Sequence, residues 1–563
     1  IFSTGTLTPQ DADNAANAAL LAIEAAAYPD PDLAGIYPLS LSTRTQVLKG
    51  RLNAGEVIPY FTDLADPRHS VRTLYYHTRF STNTEPHPTM AQPFRLMAHN
   101  GELNTDRKNR IADDAAAAVR HRDIVRPPGQ SDSSRLDQTL QSRVVDDGLD
   151  IVEAVVTLMP PAWENDRSLS TPVRDMLEYF SLYEEKNDGP AALIFNDGDV
   201  VGARLDRLGL RPLRTIETGD YLMVSSEAGQ LETPDEDVTH RGRIEAGGML
   251  ILDHRTGLIR RTRQILDDLA ARRDYATLLA GARTHIDDIT VDGIDRGAST
   301  LGYSGDLSLS GRYVSYSLNQ ESFRFMMDPM LSKGAERISA MGYGNAINAL
   351  SDQEGGMAKY FSQCFAQVTN PPLDSIREAD GMTFRVALGG EHKIVVDSPV
   401  LGHLDMLRLR EQDLVPLRRF PMLYSPVEGD GEEEIEANAA AVTGALSALC
   451  EEVAEFAAAT GGIAVLTDRA IDSGRAPLPL LLAVAAVNQR LIADGLSLRV
   501  SLIAESGQLP STHHIASALG FGASAVYSLS ARLRAEEKYP APAGPAGQGT
   551  GTDRAGDRVR KAA

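Results

Sequence analysis

The sequence predicts an α+β first half followed by an α/β second half built on a parallel sheet. Between residues 36 and 260, short apolar runs alternate with turn-forming residues. Two pairs of runs are joined by Asn196-Asp197-Gly198-Asp199 and His254-Arg255-Thr256-Gly257, the residue types that tight hairpins require. From residue 432 onward, long helical patterns alternate with short apolar strands, the order that builds a parallel sheet with right-handed crossovers. Residues 287–312 separate the halves and, being rich in Asp, Gly and Ser, read as a linker.

In chain order, the first half shows candidate strands IYPLSLS, TQVLKG, VRTLYYHTRF, FRLMAHN, IVEAVVTL, AALIFNDGDVVGARLD, YLMVSSE and GGMLILDHRTGLIRR. Helical patterns interrupt them at 113–122 and 132–145, the second preceded by Asp and Ser side chains able to cap it. Residues 263–285 read as one helix. The second half reads as helix 432–459, strand 463–467, helix 477–494, strand 498–504, helix 512–519 and strand 525–529. Residues 539–556, rich in Pro, Gly and Ala, read as a loop, and DRVRKAA after them as the first turn of another helix.

A chain of 563 residues exceeds what one core serves and predicts two to four domains. With 55 Lys+Arg against 77 Asp+Glu, the net charge of −22 excludes nonspecific binding to nucleic acid or to an anionic membrane, both of which need a positive field. The longest apolar run, 477–487, is about half of the roughly 20 residues a membrane helix needs. Cys364 and Cys450 form neither a metal motif nor a disulfide framework, so a reducing, cytoplasmic setting fits. The chain begins with Ile and has no apolar leader, which reads as a start downstream of the natural initiation point.

Three places carry chemistry. Arg79 ends an apolar run, where its guanidinium suits a carboxylate or a structural ion pair. Asn100-Gly101 follows FRLMAH and reads either as a plain turn or as two donors of an oxyanion hole. Asp132, in GQSDSS, is either a helix cap or a carboxylate for an ammonium group. His513-His514 reads as packing, because adjacent histidines point apart on a helix.

SLSTRTQVLKG, HTRFSTNT, AQPFRLMAHNGELNT, GQSDSSRLDQTL, MPPAWEND, DGPAALIFNDG, VGARLDRLGLRPLR and SSEAGQL, in this order, resemble the glutamine amidotransferase domain of glutamate synthase large subunits, a class II (N-terminal nucleophile) domain. AMGYGNAINALSD, YFSQCFAQVTNPPLDSIRE, SPVLG, IAVLTDR and ESGQLPSTHHIASALGFGASAV resemble the central domain of that family. The resemblance implies an αββα sandwich, here incomplete, and the divisions 1–285 (amidotransferase), 286–312 (linker), 313–538 (central domain) and 539–563 (linker and start of a truncated FMN-barrel region). It implies that Arg79 binds the glutamine α-carboxylate and Asp132 its α-ammonium. Asn100 and Gly101 would stabilise the oxyanion, with Thr82 and Asn83 lining the site.

The family's nucleophile is an N-terminal cysteine, and residue 1 is Ile. The chain therefore reads as an internal piece, inactive alone, of an enzyme that moves the glutamine amide nitrogen to 2-oxoglutarate. The competing reading is a non-enzymatic glutamine-binding or scaffold relative. FMN, a 3Fe-4S cluster and a small reductase subunit are implied for the parent enzyme, outside these residues. The loop 368–378 is a candidate tunnel lining, and the electron donor (NADPH, NADH or ferredoxin) is open.

Overall fold

The computed structural model describes residues 5–78, 87, 89–101, 103, 107–119, 124–127, 129–290, 306–336, 356–362, 382–539 and 551–562. The chain forms two compact units, Ile1–Leu279 with Asn370–Met382, and Ala280–Thr369 with Thr383–Ala563.

The first unit opens with helix α1 (Pro9–Ala27), capped by Thr8 and started by a proline whose missing N–H costs nothing in the first turn. Its strands are β1 (Met97–Gly101), β2 (Ala191–Asn196), β3 (Val200–Leu205), β4 (Arg214–Thr218), β5 (Leu222–Ser225), β6 (Val238–Arg243), β7 (Met249–Asp253) and β8 (Leu258–Arg261). The helices are α2 (Arg107–Val119), α3 (Asp132–Gln141), α4 (Ile151–Leu158), α5 (Thr171–Ser181) and α6 (Thr262–Ala270). Two antiparallel sheets result, ordered β1-β2-β3-β7-β8 and β5-β4-β6. Both expected hairpins are present, β2–β3 and β7–β8, with Gly198 at φ +95° and Gly257 at φ +71° supplying the left-handed turn residues.

The β2 run AALIF is apolar throughout because both of its faces are covered. Ala191, Leu193 and Phe195 pack with Met249 and Ile251 against α3 to α6. Ala192 and Ile194 join Ala203, Leu205 and Leu250 against Leu213, Leu222, Val224 and Ile244 of the second sheet. Helix, sheet and sheet thus stack as three successive layers, an α+β architecture of the sandwich type.

Three expectations are corrected. IVEAVVTL is helix α4, not a strand: Asp150 caps it by accepting from the Val152 and Glu153 amides, and burial on nearly all sides erases the period that would distinguish a helix. The described part of residues 36–78 contains no strand. Val71, Leu74 and Tyr76 are exposed there, and an extended run becomes a strand only when another pairs with it. Residues 263–285 divide into α6, a second helix Tyr275–Ala282 and a strand Arg283–His285 that pairs in parallel with Lys393–Val396.

The second unit contains β9 (Leu417–Pro421), β10 (Gly462–Thr467), β11 (Val500–Ser506) and β12 (Ala525–Ser528), hydrogen-bonded in that order and all parallel. Helices α7 (Glu432–Ala459), α8 (Leu480–Ala493), α9 (Thr512–Gly520) and α10 (Leu529–Lys538) alternate with them, as the periodicity predicts. Every residue of β10, β11 and β12 is buried. Ala464, Leu466, Leu502 and Ala504 face α7 and α8, whereas Ile463, Val465 and Ile503 face Leu388, Ile394, Met406 and Leu409. This is the α/β sheet covered on both sides. Of the expected loop 539–556, residues 551–556 belong instead to a helix, Gly551–Ala562, whose Val559 is buried beside Met330 and Leu331.

One buried carboxylate joins helix to sheet in the first unit. Asp137 of α3 accepts from the backbone N–H groups of Arg95 (3.1 Å), Leu96 (2.8 Å) and Met97 (3.1 Å) at the start of β1. The Arg95 side chain in turn donates to Glu24 of α1, to the Pro38 carbonyl (3.1 Å) and to Gln141 of α3 (3.2 Å). Burial raises the Asp137 carboxyl above its usual range despite these donors. Replacing Asp137 with Ala leaves three buried amides without their acceptor, and is expected to cost about 3–5 kcal/mol, read as a lower midpoint in urea unfolding.

Candidate functional site

Asn100 and Gly101 stand at the end of β1, paired with Ala192 and Ala191 of β2. They are strand residues, so the turn reading of Asn-Gly is overturned. Glycine is required at 101: φ is +150°, and a Cβ there would lie 1.8 Å from the Pro190 carbonyl oxygen. The Asn100 side-chain oxygen accepts a hydrogen bond from the Arg211 guanidinium.

Arg211 comes from the loop after β3, which Asp206 organises. The buried Asp206 carboxylate accepts from the Leu208 (3.2 Å) and Leu210 (3.0 Å) amides, while its carbonyl accepts from Gly209 and Gly247. Neither Arg211 nor Asp206 is assigned a role by the sequence reading. Their signal lies in VGARLDRLGLRPLR, where Asp, Gly and Pro crowd a turn directly after a strand.

The residue before Asn100 also ties the site together. His99 Nε2 meets the Ser133 hydroxyl of α3. Burial, with His77 and Arg211 nearby, pushes the His99 imidazole down to about 4, so it is neutral at physiological pH. Asn100 thus stands between a neutral imidazole on one side and the Arg211 guanidinium on the other.

Asp132 is the first residue of α3, and the cap is its neighbour Ser131, which accepts from the Ser134 amide. Asp132 therefore is not the cap; its carboxylate pairs with Arg110 of α2, whose Nε lies 3.1 Å away. A cation already stands where an ammonium would bind. Beside the pair is a shallow open depression, lined among others by Leu103, Asn109, Arg135, Glu184 and Asp188.

The structure thus brings Asn100, Gly101 and Asp132 onto one strand and the helix bonded to it. Arg79, Thr82 and Asn83 lie outside the described residues, as do Cys364 and the loop 368–378. His513 donates to the Ala358 carbonyl (2.7 Å) and His514 meets Ser511 (2.7 Å), while burial pushes His514 down to about 4; both are packed, as expected. Asp468, at the end of β10, is held by Ser506, Gly507 and Gln508, and burial pushes it up to about 6. Its neighbour Glu505 is matched by Thr467 and Arg469. No helix among the described residues is long and apolar enough to cross a membrane.

Residues 16–278 match the family model of class-II glutamine amidotransferases, and residues 311–546 that of the glutamate synthase central domain. The chain is 32% identical over 523 residues to a chloroplastic ferredoxin-dependent glutamate synthase of Oryza sativa subsp. japonica, covering 87% of this chain and 31% of that protein. It is 32% identical over 524 residues to an NADH glutamate synthase of Schizosaccharomyces pombe, covering 87% and 24% respectively. To the NADPH glutamate synthase large chain of Azospirillum brasilense it is 30% identical over 528 residues, covering 89% and 34%. The chain spans about a third or less of the length of these relatives.

His99 makes the first unit acid-sensitive. Unfolded histidine takes up its proton near 6.5 and folded His99 only near 4, so stability is full above 6.5 and falls as pH drops through that window. The slope is about 1.4 kcal/mol per pH unit. The thermal midpoint is expected to drop less steeply between about pH 6.5 and 5 in His99→Gln than in the wild type, as measured by circular dichroism.

Proposed function

The chain belongs to the glutamate synthase family, and from that premise we propose that its first unit binds glutamine for transfer of the amide nitrogen to 2-oxoglutarate, giving glutamate. Asn100 and Gly101 stabilise the oxyanion formed when the amide carbon is attacked, and Asp132 receives the substrate α-ammonium. Arg79 holds the α-carboxylate, with Thr82 and Asn83 lining the site. The observation that carries this reading is the coupling of β1 to α3 through His99–Ser133 and Asp137, which holds the oxyanion donors and the ammonium ligand on one rigid support.

Binding exchanges one cation for another at Asp132: Arg110 leaves as the substrate ammonium arrives, so the carboxylate is never left unpaired. Hydrolysis then adds water across the amide bond, yielding glutamate and ammonia. This reading assigns the attacking role to none of the described residues. Cys450 sits half-buried on α7 of the second unit, where burial pushes its thiol up, the reverse of an activated nucleophile.

Ammonia and the ketone of 2-oxoglutarate condense to an imine that must be reduced, chemistry that FMN, fed by a small reductase subunit or another donor, supplies in this reading. Iron–sulfur clusters are held by sets of cysteine thiolates, and two cysteines do not make such a set. The second unit, with its buried carboxylates matched internally, serves as scaffold. The cytoplasm is the compartment this chemistry and the sparse cysteines suit.

Titration calorimetry on residues 1–563 is expected to show saturable glutamine binding. Arg79→Ala and Asp132→Asn should each weaken it about tenfold or more, the worth of a charge-assisted hydrogen bond. Ammonia release by the same chain should be undetectable. Release of ammonia would refute the missing nucleophile, and absence of binding would refute the glutamine site.

A further inference from the structure

We propose that Arg211 is a positioning residue that sets which end of the Asn100 amide faces the substrate. The inference rests on the glutamine-site reading above and adds to it a part that this reading does not assign. A guanidinium has only donors, so the amide atom that meets it must be the carbonyl oxygen. The NH2 group, the only part of Asn100's side chain able to donate to an oxyanion, is thereby turned to the other side. Without this contact the amide is free to rotate by half a turn, which would aim its oxygen at the developing negative charge and repel it.

The support behind Arg211 is as specific as the contact. Its loop is closed by the buried Asp206, whose carboxylate takes hydrogen bonds from the amides of Ala191, Leu208 and Leu210 and whose own backbone is anchored to Gly247 and Ala191. Ala191 is also the strand partner of Gly101. One short segment therefore holds both the oxyanion donors and the group that orients one of them. The Arg211 Nε is buried and has no hydrogen-bond partner among the described residues, so this side chain is held at the Nη2 that meets Asn100 and not at Nε.

The test separates ground-state binding from recognition of a tetrahedral centre, and needs no nucleophile. Two probes are titrated into residues 1–563: glutamine, and its analogue with a sulfonamide in place of the carboxamide, whose sulfonyl oxygens stand where the oxyanion forms. Arg211→Ala is expected to weaken the sulfonamide about tenfold while glutamine changes by less than about threefold. Arg211→Lys, which still only donates, should keep the sulfonamide within about threefold of the wild type. In an Asn100→Ala background, Arg211→Ala should have no further effect, because the residue acts through Asn100. The inference is overturned if Arg211→Ala weakens both probes equally, leaves both unchanged, or adds its full effect on top of Asn100→Ala. If the wild type binds neither probe, the glutamine-site reading itself fails and the inference falls with it.

Discussion

The amides of Arg95, Leu96 and Met97 end on one carboxylate, Asp137, and the organisation of the first unit follows from that bond set. Among the described residues β1 lies at the edge of its sheet, paired only with β2, and an edge strand carries amides with no ladder partner. Water satisfies such groups on a surface, but here Met97 is fully buried. A side-chain acceptor brought by α3 closes the strand's start instead. Because α3 supplies it, the helix is fixed along the strand, and Arg95 extends the same network to α1.

The site inherits its geometry from this joint. Asp132 lies five residues before Asp137 on α3, and Asn100 three residues after Met97 on β1, so one clamp sets where the carboxylate stands relative to the oxyanion donors. His99–Ser133 closes the same interface nearer the site. The charges around it are set by the same packing: Arg211 and a neutral His99 beside Asn100, and Arg110 against Asp132. Asp468 and Glu505 in the second unit show the contrasting use of buried acids. Each is matched on the spot by hydroxyls, amides or arginine, and none is turned outward to a ligand.

Much of the architecture was legible in local pattern. The β2–β3 and β7–β8 turns were readable because Asn-Asp-Gly and Thr-Gly have few alternatives to a tight turn, and the alternation of α7 to α10 with β10 to β12 because their periods differ plainly. IVEAVVTL was misread because eight residues, six of them apolar, buried on nearly all sides carry no period. Residues 71–76 were misread because alternation describes a strand's faces and says nothing of its partner. Asn100-Gly101 was read as an oxyanion pair through resemblance, while its local chemistry suggested a turn; the tight approach of Pro190 to Gly101, a contact over about ninety positions of chain, explains the glycine instead.

The sequence by itself determined the two fold classes, the hairpins and the helix–strand order of the second unit, since each rests on neighbours within a few positions or on an ordered run of motifs. Only the tertiary structure decided that Asp137 closes an edge strand, that Arg110 stands against Asp132, and that Arg211 turns the Asn100 amide. These are contacts between residues 22 to 111 positions apart. Nothing local distinguishes an Arg that meets a buried acceptor from one that faces water; the folded backbone alone brings donor and acceptor together.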